Sequence, residues 1–223
     1  MTRTRWFWGL LAVLVIAAAV PRLLIYDFSL PYLDHPDEGT SYLEARTWRG
    51  EYDLGGGHPG YPPGHIVVNY AVQSVVEGAL NRSQTATIHV MRLFSVTMNL
   101  TALALIAWTA RMVAGDAGGL LAGVLWGVSP IVVTNNVIAI PDPTLYTLTI
   151  ASIATATFAL TDPTLRHWGM VSFVIGLVAV VVKYQAFLVL IPGGIISLVM
   201  MREYLPRGAA YLAVQVVLAV IVA

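Results

Sequence analysis

Three carboxylates lie within five residues of one another near the start of the chain, in the segment LDHPDEGTSY at positions 33–42. Asp34, Asp37 and Glu38 stand out because only 11% of the 223 residues are charged, whereas 57% are hydrophobic. A carboxylate held beside a substrate hydroxyl can accept its proton as a general base. The alternative, which the composition leaves open, is a solvated loop.

Further ionisable side chains occur where apolar runs begin or end. Asp142 lies between two prolines in IPDPT, Lys183 lies in VVKYQA and Arg92 lies in HVMRLF. Ionisable groups at membrane depth are costly and usually mark function. Each residue also has a simpler interpretation, since Asp142 can cap a helix and the two cations can reach lipid headgroups. Carboxylates that face cations at one membrane boundary would suit a site that binds an anionic headgroup and transfers a proton.

Histidine and cysteine usage argues against a metal centre. His58 and His65 lie in GGGHPGYPPGH, residues 55–65, but their spacing matches no established set of metal ligands. We therefore expect no metal and no other cofactor, and we keep both histidines as candidate substrate-binding residues. The chain has no cysteine, which excludes disulfides and zinc–thiolate sites. Its net charge of zero gives no indication of nucleic-acid binding.

The composition predicts an integral membrane protein of the all-α class. The mean hydropathy is +0.75, and the charged fraction is well below the roughly 25% that is typical of soluble domains. An apolar run from Trp6 to Tyr26 follows a basic N-terminus and is long enough to span a bilayer. The run also fits a secretory signal peptide. Both interpretations place residue 27 outside the cytoplasm.

The segment 66–80, IVVNYAVQSVVEGAL, differs from the other apolar runs because Asn69, Gln73 and Glu77 form a polar stripe at helical spacing. The stripe fits a helix that lies in the membrane interface, or a spanning helix whose stripe faces a bundle interior. Only the flat helix keeps the arginines near the span ends on the cytoplasmic side, as the positive-inside rule requires. These arginines are Arg3, Arg5, Arg111, Arg166, Arg202 and Arg207.

This orientation predicts a polytopic transmembrane helical bundle of about seven spans, with a large first outer loop, residues 27–88, that contains the interfacial helix. The expected spans are 6–26, 89–112, 117–138, 143–161, 168–183, 185–201 and 208–223. The chain ends inside the apolar run YLAVQVVLAVIVA. We therefore expect residues 1–223 to be the N-terminal transmembrane module of a longer protein.

The order of these elements resembles the GT-C superfamily of polyprenyl-phosphate-sugar-dependent glycosyltransferases. The resemblance rests on the order and membrane side of short segments, namely PDEGTSY in the outer loop, YPPGHIVVNY opening the flat helix, HVMRLFSV entering the second span, SP late in the third, PDPTL opening the fourth, and VVKYQAFLVLIP. Within the superfamily, the chain is most similar to the branch of protein O-mannosyltransferases and lipid A aminoarabinose transferases.

The resemblance implies roles for particular acids of this chain. The family's acidic pair falls on Asp37 and Glu38, with Asp37 as the candidate base. In the family an aromatic residue commonly follows the pair by three or four positions, and here Tyr42 comes four after Glu38 and five after Asp37. The choice among Asp34, Asp37 and Glu38 therefore stays open, and Tyr42 is a candidate for substrate binding.

The resemblance also implies a substrate and a membrane side. Asp142 matches a second acid at the outer surface, and Arg92 and Lys183 match positions that would meet the carrier phosphate. Such a multi-pass enzyme of the cell membrane would move a sugar, with inversion, from a polyprenyl-phosphate carrier to a lipid, glycan or protein hydroxyl outside the cytoplasm. A monophosphate leaving group with two nearby cations can dispense with a metal. The alternative class is a non-catalytic membrane subunit or a transporter fragment.

Overall fold

The described part of the protein is all-helical, as the composition predicts. The computed structural model describes residues 2–33, 35–52, 63–165, 167–191 and 194–195, and these residues contain no β-strand. The α-helices are α1 (Thr2–Ile25), α2 (Pro36–Trp48), α3 (Pro63–Gln73), α4 (Gln84–Val128), α5 (Pro130–Asn135), α6 (Asp142–Thr161) and α7 (Trp168–Val182). A π-helical turn, Ser74–Ala79, continues α3, and two 3₁₀ segments cover Pro163–Leu165 and Tyr184–Val189.

Within the described residues, three helices are long and apolar enough to cross a membrane. They are Arg5–Ile25 within α1, the whole of α4, and α6, while α7 is apolar but shorter, with 15 residues. A spanning helix needs about 20 predominantly apolar residues. The expected spans at 6–26 and 143–161 coincide with α1 and α6. The expected span at 208–223, and much of that at 185–201, lie outside the described residues.

The 45 residues of α4 fold back on themselves at Gly115. This glycine has a φ of +74° in the middle of an otherwise helical segment, a conformation that a residue with a Cβ adopts only with strain. Leu120, beyond the break, packs against the apolar cluster that contains Leu103, before it. Arg111 Nε donates to Asp116 Oδ1 at 2.6 Å across the bend. The reversal falls inside the turn expected between spans 89–112 and 117–138.

The helix after this reversal is shorter than the sequence predicts. The expected span at 117–138 stops at Val128, and α5 begins at Pro130. Proline has no backbone N–H to donate and clashes with the preceding turn, so it ends a helix and starts the next. The α5 helix ends at Asn135, and the chain from residue 136 to residue 141 is not helical. Its residues Asn136, Val137, Ala139 and Ile140 are buried. This buried loop, residues 136–141, becomes part of the site described below.

Buried polar contacts tie the first helix to the fourth. Arg22, fully buried in α1, donates from Nε to Oδ1 of Asn99 at 2.7 Å and from Nη1 to the Ala18 carbonyl at 2.7 Å. Asn99, fully buried in α4, is thus a helix-packing residue. Polar groups inside a membrane bundle are satisfied by such interhelical hydrogen bonds. The bond fixes the depth of α1 against α4.

The polar stripe predicted at 66–80 faces the protein. The helix begins at Pro63, three residues before the expected start, and Asn69 and Gln73 are fully buried in it. Gln73 Nε2 donates to the Tyr42 carbonyl of α2 at 2.8 Å. At the other end, Gly64 approaches α7 so closely that a Cβ would lie 2.8 Å from the Val181 carbonyl oxygen. The stripe therefore docks α3 on α2, and the glycine docks it on α7.

Candidate functional site

A buried ion pair joins the acidic segment to the fourth helix. Arg92 donates from Nε to Oε1 of Glu38 at 2.8 Å and from Nη2 to Oε2 at 2.6 Å. The Glu38 residue is 1% exposed and the Arg92 residue 4%. The two parallel bonds form the bidentate geometry that a planar guanidinium and a carboxylate favour. Two residues 54 positions apart are thus locked together.

The same two side chains also bind backbone groups of other segments. Arg92 Nη1 donates to the carbonyls of Tyr26 at 3.0 Å and Phe28 at 2.6 Å, just beyond α1. The backbone N–H of Ala139, in the loop 136–141, donates to Glu38 Oε1 at 2.8 Å. Buried charges are tolerated when further hydrogen bonds satisfy them. The pair therefore joins four segments at one point.

Asp37 lies directly before Glu38 in the first turn of α2 but has a different environment. Its side chain is half-buried, and no described cation forms an ion pair with it. Successive helical residues differ by about 100° around the axis, so the Glu38 lock fixes where Asp37 points. The first turn of a helix also favours a negative charge. Asp37 is thus an oriented carboxylate that the ion pair leaves uncommitted.

His35 caps α2, and the sequence analysis did not single it out. Its Nδ1 accepts a hydrogen bond from the Asp37 backbone N–H at 3.3 Å. His35 and Arg92 both line a cavity of about 170 Å³ whose other walls are mainly apolar. The remaining lining residues are Ile25, Phe28, Ser29, Val137 and Ile138.

A second ion pair lies at the same end of the bundle. Lys183 Nζ, just past α7, donates to Oδ1 of Asp142 at 2.9 Å. The two side chains are 22% and 18% exposed, so a ligand can reach them more easily than it can reach the Glu38–Arg92 pair. Asp142 begins α6 two residues after Ile140, at the end of the loop that contacts Glu38. The loop 136–141 thus links the two ion pairs.

His65 lies in the first turns of α3 beside this loop. The residue is 2% exposed, and neither ring nitrogen has a hydrogen-bond partner. Burial lowers the pKa of the imidazole to about 4, although the Ala139 carbonyl and the Asp142 carboxylate oppose that shift. His65 is therefore neutral at physiological pH. The imidazole lies close to the Ala139 carbonyl and the Asp142 carboxylate, which places it next to the Asp142–Lys183 pair.

Tyr42 holds α2 in place from its second turn. Its hydroxyl donates to Glu77 Oε1 at 2.8 Å, and Thr87 Oγ1 donates to the same oxygen at 2.7 Å. Arg49 Nη1 lies 3.7 Å from the other oxygen of Glu77. Burial and the nearby Glu77 carboxylate raise the pKa of the Tyr42 phenol. Through these contacts Tyr42 anchors α2, the helix that carries Asp37 and Glu38.

The structure brings together most of the residues that the sequence singles out. Glu38, Arg92 and Asp37 share one cluster, and Asp142, Lys183 and His65 share the other. Asp34 and His58 lie outside the described residues. Within the described ranges, no group of three His, Cys, Asp or Glu side chains could hold a metal ion. The sequence signal for His35 was available, because a polar residue directly before a proline often caps a helix.

Comparison with known proteins supplies the family. Residues 83–223, more than half of the chain, match the model of the dolichyl-phosphate-mannose-protein mannosyltransferase family. The matched range contains Arg92, Asp142 and Lys183, whereas Asp37 and Glu38 lie before it. No curated protein and no solved structure was found to match. The chain belongs to the dolichyl-phosphate-mannose-protein mannosyltransferase family, a family of membrane glycosyltransferases of the GT-C type.

Proposed function

We propose that this membrane glycosyltransferase moves a sugar from a polyprenyl-phosphate carrier to an acceptor hydroxyl on the extracytoplasmic side, with Asp37 as the base. The observation that carries the proposal is the Glu38–Arg92 pair, which fixes α2 and leaves the neighbouring Asp37 carboxylate uncommitted. A base must be oriented before the reaction begins if it is to act efficiently. The pair supplies that orientation from a fully buried position.

The reaction is a single displacement. The acceptor oxygen forms a bond to the anomeric carbon while the bond from that carbon to the phosphate oxygen breaks, and its electron pair leaves with the phosphate. Asp37 accepts the hydroxyl proton as the attack proceeds, a role that contributes about 10²–10⁴-fold. Because attack comes from the face opposite the phosphate, the anomeric configuration inverts.

Lys183 is the cation best placed to meet the departing phosphate. Its ion pair with Asp142 is partly exposed, so the ammonium can turn from the carboxylate to a phosphate oxygen. Fixed positive charge where negative charge grows is often the largest catalytic term. Arg92 donates four hydrogen bonds to groups of the protein itself. It contributes to the phosphate site through the cavity wall that it forms with His35.

The membrane arrangement that we propose follows from where the helix ends meet. Both ion pairs involve residues just after α1 and α7 and near the starts of α4 and α6. In our arrangement this end faces the outside, and α3 lies along the interface and walls the site. The carrier's tail then stays in the bilayer while its headgroup reaches Lys183.

A transfer assay tests this function. Membranes that contain the protein are supplied with radiolabelled mannosyl-phosphoryl-polyprenol and an alkyl mannoside acceptor, and the anomeric configuration of the product is read by NMR. We expect a labelled product whose configuration is inverted relative to the donor. A product with retained configuration would contradict a single displacement. If neither transfer nor donor hydrolysis occurs with this or other polyprenyl-phosphate sugars, the protein is a non-catalytic subunit.

A further inference from the structure

The polar side chains on one face of α2 form hydrogen bonds with other segments of the protein. On this face Glu38 binds Arg92 and the Ala139 N–H, and the Tyr42 hydroxyl binds Glu77. These residues are four apart, so they lie one above the other on the helix surface. Their contacts fix both the position of α2 and its rotation about its own axis.

The neighbouring face of α2 carries three polar residues, and two of them have buried side-chain atoms without a hydrogen-bond partner in the described part of the chain. Asp37, Ser41 and Glu44 are spaced by four and three residues, so they form a single row. Ser41 is 1% exposed and its Oγ has no hydrogen-bond partner, and Glu44 is 5% exposed and its Oε2 has none. Buried polar groups are nearly always paired. Other described residues also have buried polar atoms without a partner, but Ser41 and Glu44 are the two of them that lie in one row with the proposed base.

We propose that Asp37, Ser41 and Glu44 form the acceptor subsite of this enzyme and that the acceptor is polyhydroxylated, that is, a carbohydrate. This inference rests on the proposed function, because it takes Asp37 as the base. Seven residues of helix rise about 10 Å, which separates the reacting hydroxyl at Asp37 from further hydroxyls of the same acceptor at Ser41 and Glu44.

The chemistry of the row fits sugar hydroxyls. Each hydroxyl both donates and accepts a hydrogen bond, and so does the Ser41 side chain. Burial raises the pKa of the Glu44 carboxyl to about 7, so a large share of these carboxyls is protonated near neutral pH and can donate as well as accept.

Acceptor kinetics test the subsite in the intact membrane protein. The probes are mannosyl-phosphoryl-polyprenol as donor and octyl mannoside as acceptor, with a Ser/Thr-containing peptide as the competing acceptor. We expect Ser41→Ala and Glu44→Ala each to raise the KM for octyl mannoside about tenfold, as for the loss of one good hydrogen bond. The KM for the donor should not change. Glu44→Gln keeps a donor and an acceptor at the same place and should restore most of the affinity.

Two controls separate a binding defect from a folding defect. Thr47→Ala removes another hydroxyl of α2. Its Oγ1 donates to the Leu43 carbonyl of the same helix, so the acceptor KM of this variant should stay at the wild-type value. Hydrolysis of the donor by water needs the folded site but no acceptor. It should persist in Ser41→Ala, Glu44→Ala and Glu44→Gln, and a variant that loses it counts as a folding defect and is left out of the comparison of acceptor KM values.

The outcomes distinguish this inference from the proposed function. Transfer by the wild type to the peptide and not to octyl mannoside would overturn the carbohydrate subsite and leave the transferase function intact. A raised donor KM with an unchanged acceptor KM would overturn it as well, because the row would then bind the donor. Absence of both transfer and donor hydrolysis in the wild type would instead refute the proposed function itself.

Discussion

Glu38 and Arg92 are two buried charges, so hydrogen bonds within the protein have to replace those that water would make with them. Between them they make five hydrogen bonds, two to each other and three to backbone groups. Removal of one partner from such a pair leaves a buried charge, which costs far more than the pair contributes. At the residue scale, the ion pair is therefore the most sensitive contact of the site.

A double-mutant cycle on this pair gives the first prediction. Arg92→Gln should lower the free energy of unfolding by about 3–5 kcal/mol, because it leaves the Glu38 carboxylate buried without a cation. The double variant with Glu38→Gln should lose much less than the sum of the two single losses. Thermal unfolding in detergent measures each. The partly exposed Arg46–Glu51 pair is the control, since Arg46→Gln should cost less than about 1 kcal/mol. Additive losses at Glu38 and Arg92 would contradict the coupling.

The second prediction concerns pH and His65. Its pKa falls from the ordinary 6.5 to about 4 in the folded protein, so between these values the unfolded chain binds a proton that the folded protein does not. Stability from this residue is therefore present above pH 6.5 and is lost as the pH falls towards 4. The unfolding temperature of His65→Gln, measured relative to the wild type, should rise as the pH is lowered through this window.

Glu44 supplies the matched control because its shift has the opposite sign. Its pKa rises from 4.5 to about 7, so the folded protein binds the extra proton, and stability falls as the pH rises between these values. Relative to the wild type, Glu44→Gln should therefore gain stability as the pH rises. If both variants follow the wild-type pH profile, the two buried groups titrate normally and the burial argument is wrong.

At the scale of the element, α2 is short and polar, so its position depends on side-chain contacts. Its first turn is held by the ion pair of Glu38 with Arg92, and its middle is held by the hydrogen bonds that Tyr42 makes with Glu77 and Gln73. A charge-assisted hydrogen bond is worth about 1.5–3 kcal/mol. The helix that carries the proposed base is thus anchored from two sides.

The third prediction tests that anchor. Tyr42→Phe removes one hydroxyl, and we expect it to lower the free energy of unfolding by about 1–3 kcal/mol and to speed amide hydrogen exchange in α2. Tyr52→Phe is the control, because Tyr52 is 44% exposed and its loss should have little effect. Exchange in α2 that stays at the wild-type rate would show that the Tyr42–Glu77 bond does not hold the helix.

The elements also show what could be read from the sequence. The apolar runs at 6–26 and 143–161 predict α1 and α6 because hydropathy and length are local properties. The break at Pro130 was missed, although proline carries the signal, because the surrounding apolar run concealed the non-helical loop 136–141. The bond from the Ala139 N–H to Glu38 joins residues 101 positions apart, and no local pattern contains it.

The candidate site was predicted only in part, because its contacts join residues that are distant in the sequence. Residue type and membrane side singled out Arg92, Asp142 and Lys183, and the structure places all three at one end of the bundle. Arg92 and Lys183 were both expected to meet the carrier phosphate, but each forms an ion pair with an acid of the protein. The partners are far apart in the sequence, so these ion pairs could not be predicted from residue spacing. Ser41 and Glu44 gave no signal, because only burial without a partner makes them notable.

At the scale of the whole molecule, the helix ends define two sides. The residues just after α1 and α7 and those near the starts of α4 and α6 meet at the ion pairs, while Gly115 and Asp162 mark the opposite end of the same helices. A bundle of alternating helices places such ends on opposite sides of a membrane. Our proposal sets the ion-pair end outside.

The fourth prediction tests this orientation by cysteine labelling. The chain has no cysteine, so single introduced thiols report unambiguously. Asp27→Cys, on an exposed residue at the ion-pair end, should react with a membrane-impermeant maleimide in intact cells. Ala117→Cys, on an exposed residue at the Gly115 end, should react only after the cells are permeabilised. The reverse pattern would place the site in the cytoplasm.

The central claim is that Asp37 removes the proton of the acceptor, and the most direct measurement is the transfer rate of Asp37→Asn. Asparagine keeps the shape of the side chain but cannot accept the proton as a base. We predict a fall in kcat of about 10²–10⁴-fold, with the amount of folded protein and the donor KM unchanged. Asp27→Asn, at an exposed acid of the same outer segment, should keep the wild-type rate. A wild-type rate in Asp37→Asn would contradict the claim, and the base would have to be sought at Asp34 or Glu38.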